Sequence, residues 1–229
     1  MTKKLVAEGI GTFFLVFTVG QVVLEPGAGA FAPLAIGSVL AIMIYATAHV
    51  SGGHLNPAVT LGVFLRGKAT ATELAGYWGV QVVAGIVAAF AVLYLKGDVA
   101  PPATSLPVAS ALLAEFLFTF ALVFVVLNVA TARGTEGNSY FGFAIGGTVL
   151  VGAYAVGSIS GAAFNPAVAT GAVLLKLVVP ADLWIFVVAN LAGGAVAALV
   201  FNGFGFAGDK PTTATPAAQA VLESAGSPQ

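Results

Sequence analysis

Apolar residues run through this chain in long blocks, and polar and turn-forming residues are confined to the gaps between them. Six blocks cover roughly residues 5–24, 34–51, 74–95, 108–131, 139–157 and 181–204. A helix rises 1.5 Å per residue, so about twenty residues cross a hydrocarbon layer of roughly 30 Å. Six membrane-spanning helices are therefore expected. The gaps carry turn chemistry at Glu25-Pro26-Gly27, at Lys96-Gly97-Asp98 through Pro101-Pro102, at Arg133-Gly134 and at Pro180. Two further apolar runs, VTLGVFL from Val59 and VATGAVLL from Val168, last only two to three turns and are too short to cross.

Each short run follows one motif. Residues 51–59 read SGGHLNPAV and residues 160–168 read SGAAFNPAV, so Asn56-Pro57-Ala58 and Asn165-Pro166-Ala167 lie 109 positions apart. Asn is a strong N-cap, and Pro suits the first helical position because its missing N–H would have had no partner there. One Asn-Pro is an ordinary helix start. Two copies, each opening a half-length helix after the second or fifth span, suggest a doubled re-entrant element.

The repeat extends beyond the motif. AEGIGTFFLVF (7–17) matches AEFLFTFALVF (114–124), pairing Glu8 with Glu115 and Thr12 with Thr119, and QVVAGIVAA (81–89) matches NLAGGAVAA (190–198). Repeat one covers about 1–100 and repeat two about 106–206. With three spans per repeat, the second begins on the opposite side of the membrane, so the repeat is inverted and its functional centre belongs near the midplane. The fold expected is all-α, with six spans and two half-helices whose N-termini meet in the middle. Irregular backbone at that depth must be buried or line a water-filled cavity.

Composition removes other classes. Hydrophobic residues make up 59% and charged residues 7%, whereas a soluble domain carries about 25% charge. The net charge of −1 gives no sign of a nucleic-acid partner, and the absence of cysteine excludes disulfides and thiolate metal sites. No metal site or cofactor is expected. With both termini cytoplasmic, Lys3, Lys4, Arg66, Lys68, Arg133 and Lys210 face inward while Lys96 and Lys176 face out. One membrane-spanning domain over 1–206 and a disordered cytoplasmic tail over 207–229 are expected.

Two helix N-termini at one midplane point bring about +0.5 charge each. The amides of Asn56 and Asn165 add donors there. A water molecule accepting from both cannot also pass a proton along a line of waters, and a cation meets a positive barrier. These features together imply a conduit for small uncharged molecules. Two other readings remain. An ion-coupled secondary transporter also uses inverted repeats, and needs acids or bases at its site. An intramembrane hydrolase built on Ser51 with His49 or His54 lacks an acid to orient the histidine.

Together these motifs resemble the major intrinsic protein (aquaporin) family over about residues 5–206. The resemblance implies a right-handed six-helix bundle assembled as a homotetramer in the lipid bilayer. It also implies a passive pore for water and small neutral solutes, with no enzymatic activity, in the cell's inner (plasma) membrane. Some members have a junctional or structural role instead. The resemblance gives Glu8 and Glu115 the task of accepting hydrogen bonds from the re-entrant loops, against the alternative of a proton or ion site. It places an outer filter at Ile36, Ala153, Ala162 and Val168. The family usually carries Arg at the last of these, so this chain resembles an atypical bacterial-type member. Its filter is expected to be apolar and wide. His49 and His54 lie on the approach to Asn56, as pore-lining groups or as fixed loop hydrogen bonds. Gln81 and Asn190 read as interhelical bonds, Gly85 and Gly194 as close-packing points, and Tyr77, Trp78 and Trp184 as interfacial anchors.

Overall fold

The computed structural model describes residues 1–97, 103 and 105–208. Among the described residues six helices are long and apolar enough to cross a membrane. They are α1 (Thr2–Val23), α2 (Ala32–Ser51), α4 (Ala71–Lys96), α5 (Val108–Thr131), α6 (Phe141–Ser160) and α8 (Leu183–Gly203). Between them lie the half-helices α3 (Pro57–Leu65) and α7 (Pro166–Leu174), nine residues each. At 1.5 Å per residue each is about 14 Å long, roughly half the hydrocarbon thickness. The turn expected from Asp98 to Pro102 and the inward Lys210 lie outside the described residues, as does the tail from residue 209.

Helix ends depart from the hydropathy blocks by up to three residues, and two of these departures have a local cause. Helix α4 starts at Ala71, not near 74, because Thr70 and Glu73 form a capping box: Thr70 Oγ1 accepts from the Glu73 N–H at 3.2 Å, and Glu73 Oε2 accepts from the Thr70 N–H at 2.9 Å. Helix α6 runs on to Ser160, where Gly161 ends it in a left-handed conformation (φ 87°).

The halves pack as inverted copies. Helix α1 lies against α4 and α2, α5 lies against α8 and α6, and α2 crosses α6. Each half-helix rests chiefly on the last span of the other half, α3 on α8 and α7 on α4. Glycine makes that approach possible. A Cβ at Gly194 would stand 2.7 Å from the carbonyl oxygen of Ala58, and one at Gly85 would stand 2.8 Å from that of Ala167. The Asn-Pro-Ala segments are thus seated directly on helix backbone.

Basic residues divide between two faces. Lys4, Lys68 and Arg133 border one wide vestibule, on the face that carries the N-terminus and the end of α8, where the Arg133 N–H donates to Ala207 O. On the far face Lys96 Nζ donates to the carbonyls of Gln21 (2.6 Å), Leu24 and Pro26 (2.8 Å), closing the end of α1.

Candidate functional site

The loops that join α2 to α3 and α6 to α7 have the same backbone. Gly52 and Gly161 are left-handed (φ 94° and 87°), as are Gly53 and Ala162 (63° and 54°) and Leu55 and Phe164 (52° and 47°). A left-handed conformation costs a non-glycine residue roughly 1–2 kcal/mol. The loops hold it through buried carboxylates. Glu8 Oε1 accepts from Ser51 Oγ (2.7 Å) and the His54 N–H (2.9 Å), and Oε2 accepts from the Leu55 N–H (2.7 Å) and Gln81 Nε2 (2.9 Å). Glu115 Oε1 accepts from Ser160 Oγ (2.7 Å) and the Ala163 N–H (3.0 Å), and Oε2 accepts from the Phe164 N–H (2.8 Å). Both carboxylates are fully buried and point into the loops, away from the lumen.

The two loops are tied to each other by the asparagines. Asn56 Oδ1 caps α3 by accepting from the Ala58 N–H (2.8 Å), while its Nδ2 donates to Phe164 O across the pseudo-twofold axis (2.8 Å). Asn165 does the same in reverse, accepting from the Ala167 N–H (2.9 Å) and donating to Leu55 O (2.9 Å). An amide nitrogen carries two hydrogens. One of each pair is committed to the opposite loop, and the second has no partner among the described residues. Pro57 and Pro166 follow as the first helical residues.

Both asparagines line a narrow cavity between the spans, about 70 Å³ in volume. Its wall is built from repeat-related apolar pairs: Leu15 with Leu122, Leu40 with Val149, and Val59 with Val168. Ile36, Ala153, Ala162 and Val168, predicted as an outer filter, all border it, on the side of the asparagines where Val23 ends α1. Among the described residues that line this cavity none carries a carboxylate, ammonium or guanidinium group. A solute at its centre therefore meets amide donors and helix N-termini against an apolar wall, which favours neutral molecules able to accept a hydrogen bond and disfavours cations.

The two histidines part company. His49 is exposed and borders the wide vestibule. His54 is buried, lines both spaces, and has its Nδ1 3.2 Å from Thr60 Oγ1. Thr60 Oγ1 donates its single hydrogen to Asn56 O (2.9 Å) and accepts from Gln81 Nε2 (3.1 Å), so it can only accept from His54. That places the proton on Nδ1 and leaves Nε2 as an acceptor. Ser51 Oγ is committed to Glu8, so no Ser–His pair of a hydrolase forms here.

The sequence reading of Tyr77 as an interfacial anchor is corrected. Its ring is buried at 1% exposure and its hydroxyl donates to Ser51 O at 2.8 Å, bracing the first loop. Trp78 also turns inward in part, with Nε1 donating to Pro57 O at 2.9 Å. Only Trp184, at 48% exposure, stands on the surface. Nothing in the linear pattern separated these three, although the partner of Tyr77 in the second repeat, Phe186, lacks the hydroxyl.

A sequence model of the family described as "Major intrinsic protein" matches residues 1–201. Aquaporin NIP1-4 of Oryza sativa subsp. japonica is 36% identical over 217 residues, spanning 91% of this chain and 79% of that protein. Nodulin-26 of Glycine max is 33% identical over 235 residues, spanning 96% of this chain and 84% of that protein. Among solved structures, the aquaglyceroporin from Plasmodium falciparum superimposes with a TM-score of 0.74 at 20% identity, covering 96% of this chain and 99% of that one.

Proposed function

This chain belongs to the major intrinsic protein family, and from that premise we propose how its pore selects and where it works. It is a multi-pass membrane protein and a passive channel for water and small uncharged solutes, not an enzyme. In the proposed mechanism Asn56 and Asn165, each at the head of its Asn-Pro-Ala segment, orient the permeant at the centre. Ile36, Ala153, Ala162 and Val168 form a wide apolar outer ring, and Glu8 and Glu115 hold the re-entrant loops that carry the asparagines. The channel domain is 1–206, the terminal face is cytoplasmic, the host is the plasma membrane, and the assembly is a homotetramer in lipid with one pore per subunit.

One observation carries this reading. Two capped half-helices bring two uncommitted amide hydrogens to a lumen whose described lining has no charged side chain. The five described basic residues expected inside, Lys3, Lys4, Arg66, Lys68 and Arg133, support the orientation, since Lys4, Lys68 and Arg133 share one vestibule. A coupled transporter would need a site for its driving ion in the lumen, which that lining does not supply.

Stopped-flow light scattering of proteoliposomes with water, glycerol, urea and bulkier polyols tests the reading. The wild type is expected to pass water and glycerol. Val168→Arg, which adds a bulky fork of five donors and a fixed charge, is expected to cut flux of the larger solutes far more than flux of water. A Val168→Arg variant with an unchanged solute series would contradict the wide outer ring.

A further inference from the structure

The axial cavity and the vestibule of the terminal face meet at five wall residues that line both: Ile44, Gly53, His54, Val59 and Ile145. These five are the neck between them. The inverted repeat gives each a counterpart on the far side of the asparagines. Ile44 corresponds to Ala153, Gly53 to Ala162, His54 to Ala163, Val59 to Val168 and Ile145 to Ile36. All five counterparts also border the axial cavity. The pore therefore has two symmetry-related rings, one on each side of its centre.

The rings differ in bulk. Val59 and Val168 are the same residue type, as are Ile145 and Ile36. Gly53 is one methyl smaller than Ala162, but Ile44 replaces the methyl of Ala153 with a butyl group, and His54 sets an imidazole against the methyl of Ala163. Exposure follows the same order. Ile44, Val59 and Ile145 are 3%, 4% and 5% exposed. Ile36, the same side chain as Ile145, is only half-buried, as are Ala153, Ala162 and Ala163. Of two identical isoleucines at related positions, the one on the terminal side is buried and the one on the far side is half-exposed, while the valines of both rings, Val59 and Val168, are buried.

We propose that the neck formed by Ile44, Val59 and Ile145 around His54, and not the outer ring, sets the size limit of this channel. The proposal rests on the channel reading above and deepens it. The imidazole is braced by Thr60 at Nδ1 and by an edge-to-face contact with Tyr77, ring centroids 5.2 Å apart, so it cannot swing aside without breaking both. Its free Nε2 makes the neck's polar contact an acceptor, where the pore centre offers donors. The solute class that fits is a slender neutral molecule that both accepts and donates hydrogen bonds, such as water or a short unbranched polyol.

The test is the ratio of erythritol to glycerol permeability in proteoliposomes of the full chain. Ile44→Ala is expected to raise that ratio about tenfold, the scale on which a few carbons in an apolar constriction discriminate, while Ile36→Ala changes it by less than about twofold on the same scale. Adding Ala153→Ile to Ile44→Ala moves the bulk to the outer ring and is expected to bring the ratio back toward wild type. If Ile44→Ala fails to assemble, Ile44→Cys in this cysteine-free chain gives an independent reading. Thiol modification from the terminal side should block glycerol flux. A larger shift from Ile36→Ala than from Ile44→Ala, or undiminished flux after modification at position 44, overturns the proposal. A wild type that passes neither water nor glycerol would instead sink the channel reading on which it rests, and the neck with it.

Discussion

Replacing Glu8 by Gln changes one oxygen to an amide and removes a charge, with almost no change in shape. Glu8 is fully buried and accepts four hydrogen bonds, two at each oxygen. Whichever way the new amide turns, one backbone N–H loses its acceptor. With the NH2 at the Oε1 position the orphan is the His54 N–H, and at the Oε2 position it is the Leu55 N–H. Ser51 can adapt by turning its hydroxyl toward Thr47 O, and Gln81 can flip to present Oε1, which has no partner. The backbone donors cannot adapt. An unsatisfied buried donor costs about 1–3 kcal/mol, and exchanging charge-assisted bonds for neutral ones loses roughly another 1–2 kcal/mol. The total is about 2–5 kcal/mol, of which Ser51→Ala, as a control, should reproduce only about 0.5–1.5 kcal/mol. Function should follow stability, because Leu55 is left-handed and its carbonyl is the acceptor that holds Asn165. Purified Glu8→Gln should melt on the order of 5–15 °C lower in detergent, with reduced water flux per folded channel. A variant with unchanged melting and unchanged flux would refute the assignment of Glu8 as the support of the first loop.

The remaining predictions test other contacts. Gly194→Ala should impair assembly, at a cost of about 1–3 kcal/mol, because its Cβ would stand 2.7 Å from the backbone oxygen of Ala58; recovery of folded protein by size exclusion measures it. Asn56→Ala or Asn165→Ala loses a cap worth about 0.5–2 kcal/mol and the bond to the opposite loop, so lower flux is expected from each and weaker cation exclusion from the double variant, read by vesicle conductance. Tyr77→Phe should cost about 0.5–1.5 kcal/mol through its lost bond to Ser51 O, a loss of melting temperature that a lipid-facing anchor at this position would not show.

The spans and half-helices were legible because the bilayer imposes a length and the Asn-Pro-Ala stretch occurs twice, which turned an ordinary cap into an architectural element. Glu8 and Glu115 stood out because a carboxylate in an apolar block needs partners. What the linear pattern could not give was contact between the repeats. Asn56 and Asn165 read as caps and pore donors, and their second task, each holding the other's loop, exists only once the half-helices meet. Tyr77 had the composition of an interfacial anchor, and only the path of the first loop reveals what its hydroxyl binds. The neck was hidden for the same reason, since Ile44 and Ile145 lie in apolar runs where every position looks alike. Only their placement on facing helices α2 and α6 sets them apart.

The central claim is that paired amide donors and paired helix N-termini make a passive path for neutral molecules that is closed to ions. It is tested most directly by measuring water and glycerol flux together with proton and sodium flux in the same proteoliposomes, with and without an imposed ion gradient. The account predicts that neutral flux follows its own concentration difference, is indifferent to the ion gradient, and exceeds any ion leak by a wide margin. Neutral flux that requires or is driven by the ion gradient, or proton flux that rises in step with water flux, would contradict it.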